Sequence, residues 1–196
     1  MRIIILMTDV ELIRRALKNP DDYALIVERF EKPLIRFAKS LSRLSHEDAE
    51  DLIQQVFLKA YDHLNDFDPE LKLSTWLFSI ARNEVIDFWR RQKARPKQNE
   101  LDEAQLDQIL HEESTASEDM DKKLKSQHVQ KLLDLLQPNY REVLYLHYFE
   151  EKSYDEIADI IKSPPGTVAA LISRAKKAFM ELAQRTGDDK LLTFLR

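Results

Sequence analysis

The segment Ser153–Lys177, SYDEIADIIKSPPGTVAALISRAKK, constrains the fold more than any other part of the chain. Ser153 followed by Glu156 has the spacing of a capping box, in which the two side chains satisfy backbone N–H groups that a helix start leaves without partners. Ile157, Ala158, Ile160 and Ile161 then supply one apolar helical face. Ser163-Pro164-Pro165-Gly166 stops that helix and opens another, because proline fits a first turn but not a helix interior. Val168, Leu171, Ile172, Ala175, Phe179 and Leu182 recur at helical spacing and mark the buried stripe of the second helix. Thr167, Ser173, Arg174, Lys176 and Lys177 lie opposite. A helix–turn–helix whose second helix turns polar and basic groups outward suits entry into a DNA major groove. The same pattern also describes a helical hairpin with a solvated face.

The rest of the chain is helical in period and almost free of strand alternation. Thr8 and Glu11 form a second capping box and open a helix over Asp9–Lys18. Asn19-Pro20-Asp21-Asp22 turns into a long helix to about Leu44, with Leu25, Ile26, Phe30, Leu34, Phe37 and Leu41 on one face. Ser45 with Asp48 caps a third helix to about Leu64, with Leu52, Ile53, Val56, Phe57, Ala60 and Tyr61 inward. Phe67-Asp68-Pro69 breaks it, and Thr75 is expected to cap a fourth helix that carries Trp76, Leu77, Ile80, Ala81, Val85, Ile86 and Trp89. Helices near Gln127–Leu136 and Tyr140–Phe149 are expected before the helix–turn–helix. The expected fold is therefore all-α, with two small helical domains joined by a flexible acidic linker. The expected boundaries are an extension at 1–6, a first domain at 7–96, a linker at 97–121, a second domain at 122–184 and a tail at 185–196. A short buried segment packed on the first helix is the other reading of residues 1–6.

Charge is unevenly spread, although the net value is only −5. Ser45–Glu70 holds eight acids and one lysine, and Arg82–Lys97 holds six bases and two acids. Gln98–Asp121 holds nine acids and no lysine or arginine, and Lys162–Arg185 holds five bases and one acid. Two polyanion-binding surfaces either side of an acidic spacer account for this order, as do ordinary solvated helix faces. With no cysteine and two glycines, disulfides, Cys-ligated zinc, thiol catalysis and glycine-rich phosphate loops are excluded. The five histidines are scattered without paired ligand spacing. No nucleophile–base pair is present, so neither enzyme activity, metal nor cofactor is expected. The longest apolar run, Ile3–Met7, is too short to span a bilayer.

Three motifs stand in order: DAEDLIQQVFLKAY (Asp48–Tyr61), STWLFSIARNEVIDFWRRQ (Ser74–Gln92), and LLDLLQPNYREVLYLHYFEEKSYDEIA with its GTV turn. Together they closely resemble a bacterial extracytoplasmic-function (ECF) sigma factor of the sigma-70 family, from Met7 to about Leu182. The resemblance implies a cytoplasmic transcription initiation factor with core RNA polymerase and promoter DNA as partners. It also implies an anti-sigma factor, often membrane-anchored, while the chain itself does not insert into a membrane.

The resemblance implies roles for particular residues. Glu50, Asp51, Gln54, Gln55 and Lys59 would dock on a basic coiled coil of the polymerase. Phe67, Lys72, Trp76, Arg82 and Asn83 would recognise and melt the −10 element, with Trp76 also readable as core. Arg90, Arg91, Lys93 and Arg95 would contact phosphates. The acidic linker would thread the RNA path. Thr167, Ala169, Ala170, Ser173, Arg174 and Lys177 would face the −35 element. After GTV the family usually carries a basic residue, Ser or Thr, then Arg, but this chain has Ala169-Ala170-Leu171. That leaves −35 recognition relaxed, read through DNA shape, natively unusual, altered by an engineered substitution, or replaced by a protein contact. A stand-alone helix–turn–helix regulator is the alternative function, for which the Asp48–Tyr61 and Ser74–Gln92 helices are unnecessary.

Overall fold

The structure, a computed structural model, describes residues 7–42, 44–94 and 129–185. Eight helices make up those residues. They are α1 (Asp9–Lys18), α2 (Ala24–Ser42), α3 (His46–Asp62), α4 (Leu73–Ala94), α5 (residues 129–135), α6 (Pro138–Tyr148), α7 (Tyr154–Ile161) and α8 (Pro165–Arg185). Short 3-10 turns at Pro20–Tyr23 and Leu64–Asp66 follow α1 and α3. The expected extension at 1–6, the linker at 97–121 and the tail after Arg185, which is itself the last residue of α8, fall on residues outside this description. No described helix is long and apolar enough to cross a membrane.

Helix starts follow local chemistry where the sequence carries it. Thr8 Oγ1 accepts from the Glu11 N–H at 3.2 Å, while Glu11 Oε2 accepts from the Thr8 N–H at 2.8 Å. Ser153 and Glu156 repeat this reciprocal pair at α7, and Ser45 accepts from Asp48 at α3. Each cap satisfies donors the helix cannot. Thr75 does not cap α4. That helix begins two residues earlier, at Leu73, whose N–H donates to Asp9 Oδ2 at 2.8 Å. A carboxylate distant in sequence thus does the work expected of a local hydroxyl. Thr75 is buried and turns toward Glu156 instead.

The turn of the helix–turn–helix also differs from expectation. Lys162, with φ of 53°, ends α7 in the left-handed conformation, and the Ser163 N–H returns to the Ala158 carbonyl at 3.0 Å. A non-glycine residue in that region costs on the order of 1–2 kcal/mol, so surrounding packing must hold it. Pro165 opens α8. A Cβ on Gly166 would meet nothing within 4 Å, so no steric need for glycine exists there.

One apolar core runs through both groups of helices. Phe37, Leu34 and Ile26 of α2, Ile53 of α3 and Leu77 and Phe78 of α4 are essentially inaccessible, as are Leu133, Leu144, Leu146 and Phe179 of the second group. Side chains of this size contribute about 1.5–3 kcal/mol each on leaving water. The groups touch directly: α2 packs on α6, α4 packs on α7, and the Phe37 and Tyr145 rings lie 6.0 Å apart. An arrangement of two bodies is present, but they share an interface that the sequence reading did not anticipate.

Candidate polymerase and nucleic-acid surfaces

α3 carries its buried stripe through Ala49, Leu52, Ile53, Val56, Phe57 and Ala60. Glu50, Asp51, Gln54 and Gln55 are exposed on the other side. Lys59 is half-exposed, but its ammonium pairs with the buried Glu84 of α4, so it braces α3 against α4. Tyr61, expected inward, is 42% exposed, and Leu58 is 59% exposed. With Tyr23, Val27, Glu31, Glu50, Gln54 and Phe57 they line a cleft between α2 and α3. Tyr23 fixes one wall, donating its hydroxyl to the Phe57 carbonyl at 2.7 Å and meeting Tyr61 edge-on at 5.0 Å. Burial, reinforced by the nearby Asp62, pushes the Tyr23 phenol well up, so it stays a donor. The result is an apolar notch bordered by acids. The period gives no signal for the exposed Leu58, because that position falls on the face of α3 opposite the buried stripe.

The −10 candidates lie along the loop before α4 and on α4 itself. Phe67 and Trp76, both half-buried, meet edge-to-face at 5.4 Å. Trp76 therefore serves as packing for the loop in this conformation. Asn83 is half-buried and Arg91 exposed, while Arg90 pairs with Asp87 at 3.1 Å. Arg82 and Lys72 are both paired across the interface. Arg82 Nε donates to Glu142 Oε1 at 2.6 Å, and Lys72 Nζ lies 3.1 Å from Glu156 Oε1. Burial pulls the Glu156 carboxyl upward, but the hydrogen bonds from Ser153 and Lys72 outweigh it and leave the group below the usual carboxylate range. The structure does not describe the side chains of Lys93 and Arg95.

On α8, Thr167, Ala170 and Arg174 follow one another at three- and four-residue steps and are all exposed. This shared face follows from the helical repeat. Arg174 Nε donates back to the Ala170 backbone carbonyl at 3.2 Å. Ser173 is exposed, and Lys177 lies 4.0 Å from Glu181. Ala169 is half-buried and lines a cleft with Tyr154, Lys176 and Met180. Tyr154 and Met180 are 41% and 38% exposed, and the sequence reading missed both. Lys176 is held 5.7 Å over the Tyr148 ring, a cation–π contact that fixes it beside α6.

Comparison with known proteins places this geometry. Sigma-70 region 2 matches residues 26–95, and Sigma-70 region 4 matches residues 126–179. The chain is 32% identical over 170 residues to the ECF RNA polymerase sigma factor SigW of Bacillus subtilis, covering 82% of this chain and 88% of that one. It is 30% identical over 179 residues to the ECF RNA polymerase sigma-E factor of Escherichia coli K12, covering 88% and 92%. Among solved structures, the sigma factor RpoE of Bartonella quintana, in complex with the anti-sigma factor NepR, superposes with a TM-score of 0.62. That protein is 27% identical, with 83% of this chain and 97% of that one covered. An acidic α3, a basic α4 and a helix–turn–helix in that order, matched along most of the chain, show that it belongs to the ECF sigma factors of the sigma-70 family.

Proposed function

We infer that this chain binds core RNA polymerase and directs it to promoters, docking through α3, opening the −10 element with α4 and contacting the −35 element with α8. The observation that carries this reading is the presence of both sigma-70 regions in one chain. A stand-alone regulator would need only the second. On α3, the exposed acids and the Leu58–Tyr61 notch suit a basic partner helix with an apolar anchor, charge guiding encounter and the notch supplying hold. On α4, Asn83 supplies amide groups for a base edge, and Arg90 and Arg91 supply cations for phosphates, which position without reading sequence. The anti-sigma factor bound to the Bartonella relative supports a partner of that class here.

On α8 the expected readout is weak. Direct reading needs polar side chains on base edges, each good bidentate pair being worth about 1–3 kcal/mol of discrimination. Ala169 and Ala170 offer none, and Arg174 is turned back onto its own helix. The test is transcription by core polymerase supplied with this chain, on promoter duplexes changed one base pair at a time. Single −35 changes are expected to alter initiation by less than about tenfold, the ratio that 1.4 kcal/mol represents, with larger losses in the −10 element. Ala169→Arg with Ala170→Ser should raise affinity for −35 DNA and steepen its salt dependence through counterion release. Loss of transcription on single −35 changes would show an intact reader on other side chains, and no transcription from any promoter would refute the function.

A further inference from the structure

Beside the face of α8 that carries Thr167, Ala170 and Arg174 runs a groove. Ala169, Ile172, Lys176, Met180 and Gln184 line it together with Tyr154 of α7. Those five positions of α8 recur at three- and four-residue steps, so the groove follows the helix to its last turn. Its apolar part is open, since Tyr154 and Met180 are both exposed. Its rim is charged: Lys177 leans toward Glu181 at 4.0 Å, and Lys176 stands over the Tyr148 ring. At the Tyr154 end the groove is roomy because residue 169 is alanine, where a long side chain would occupy it.

Residues 186–196 follow α8 directly, lie outside the described residues, and read TGDDKLLTFLR. Their chemistry complements the groove. Gly187 stands two residues past the last helical residue, where glycine commonly allows the left-handed turn that redirects a chain. Asp188 and Asp189 match the lysines of the rim, and Lys190 matches Glu181. Leu191, Leu192, Phe194 and Leu195 supply apolar side chains. The lengths agree as well. From Ala169 to Arg185, α8 rises about 24 Å, and the seven steps from Gly187 to Phe194 span about 23 Å when extended.

We propose that the groove is the seat of the chain's own segment Asp188–Leu195, which lies back along α8 with Asp189 at Lys177, Leu191 against Met180 and Phe194 against Ala169 and Tyr154. Ala169 then serves to admit an apolar side chain, which gives a structural cause for its departure from a basic residue. The seat depends on neither the polymerase nor the promoter role. Tethering makes a shallow groove sufficient. A segment joined through Thr186 and Gly187 meets the groove at an effective concentration in the millimolar range, so a Kd below about 1 mM fills more than half of the seats. Burial of the exposed Tyr154 and Met180 supplies the attraction, and the opposite charges fix the direction of the segment.

The test uses the full chain, which has no native cysteine. A bimane label goes on Ser173→Cys, an exposed position on the edge of the groove. Phe194→Trp supplies a contact quencher and keeps an aromatic side chain at 194. Trp76 and Trp89 are present with and without that change and give the same background. Phe194→Trp is expected to remove about half of the label's fluorescence or more, as a seat more than half filled requires. The loss should shrink when Asp188→Asn and Asp189→Asn are added, and again when Ala169→Arg fills the end of the groove. Asp21→Asn with Glu28→Gln, which removes two acids from exposed positions far along the chain, should leave it unchanged. Absence of quenching by Phe194→Trp overturns the proposal. Quenching that persists in full with Ala169→Arg, or with the two Asn changes, overturns this groove as the seat. Quenching that grows with protein concentration places the segment on a second copy and overturns the seat within one chain. Met180→Ser, at an exposed position, replaces Ala169→Arg if that variant does not fold by circular dichroism.

Discussion

Replacing Arg141 with alanine is expected to destabilise the protein by about 3 kcal/mol or more, the range for breaking a buried network. Arg141 is 6% exposed, and its guanidinium serves four carbonyls. Nε donates to Leu133 at 2.9 Å, Nη2 to Asp134 and Leu136 at 2.8 and 3.2 Å, and Nη1 to Ser40 at 3.2 Å. Three of those carbonyls belong to the end of α5 and the turn after it; Leu133 also accepts from the Leu136 N–H at 3.1 Å, while a helix end leaves the last carbonyls without an i+4 donor. A positive charge there also suits the negative end of the helix dipole. Alanine would remove the guanidinium donor from the Asp134, Leu136 and Ser40 carbonyls at once. Lysine should restore less than half of the loss, because a single ammonium cannot reproduce a planar fork. Urea unfolding followed by circular dichroism measures both variants, and a loss below about 1 kcal/mol would mean that water replaces the guanidinium.

The second large effect is expected on binding. Glu50→Lys with Asp51→Lys should weaken association with core polymerase by about tenfold or more at moderate salt. Both side chains are exposed, and the His46–Glu50 contact at 3.3 Å is a surface pair of the kind that adds little to stability. The fold should therefore survive. The loss should lie mainly in the association rate and shrink as salt rises, because charge steers encounter over a screened distance. Leu58→Ala should weaken the same complex with little salt dependence, since it removes apolar contact instead. Biolayer interferometry against immobilised core enzyme separates the two signatures. Unchanged affinity in both variants would remove α3 from the docking surface.

What the sequence revealed about this fold depends on how local each cause is. The capping boxes at Thr8–Glu11 and Ser153–Glu156 and the stripe from Val168 to Phe179 were legible, because their partners lie within a turn or two along the chain. The start of α4 has no local signal, because the Leu73 N–H is satisfied by Asp9, sixty-four residues away in sequence. Period alone puts Tyr61 inward, although Tyr23 holds it at the rim of a cleft. The pairing of Arg82 with Glu142, across sixty residues, has no local signature at all. Sequence reading thus placed both cations and acids on the correct helices without placing them against each other. The Ala169-Ala170 departure was legible as chemistry, but the turning back of Arg174 required coordinates.

The central claim is that this chain acts as a subunit of the polymerase and not as a self-sufficient DNA-binding protein. Gel-shift titration of one promoter duplex, with the chain alone and with core enzyme added, tests it most directly. Little or no shift by the chain alone is expected at physiological salt, and a stable complex that opens the −10 region when core enzyme is present. A specific shift by the chain alone, with no further change on adding core enzyme, would contradict it.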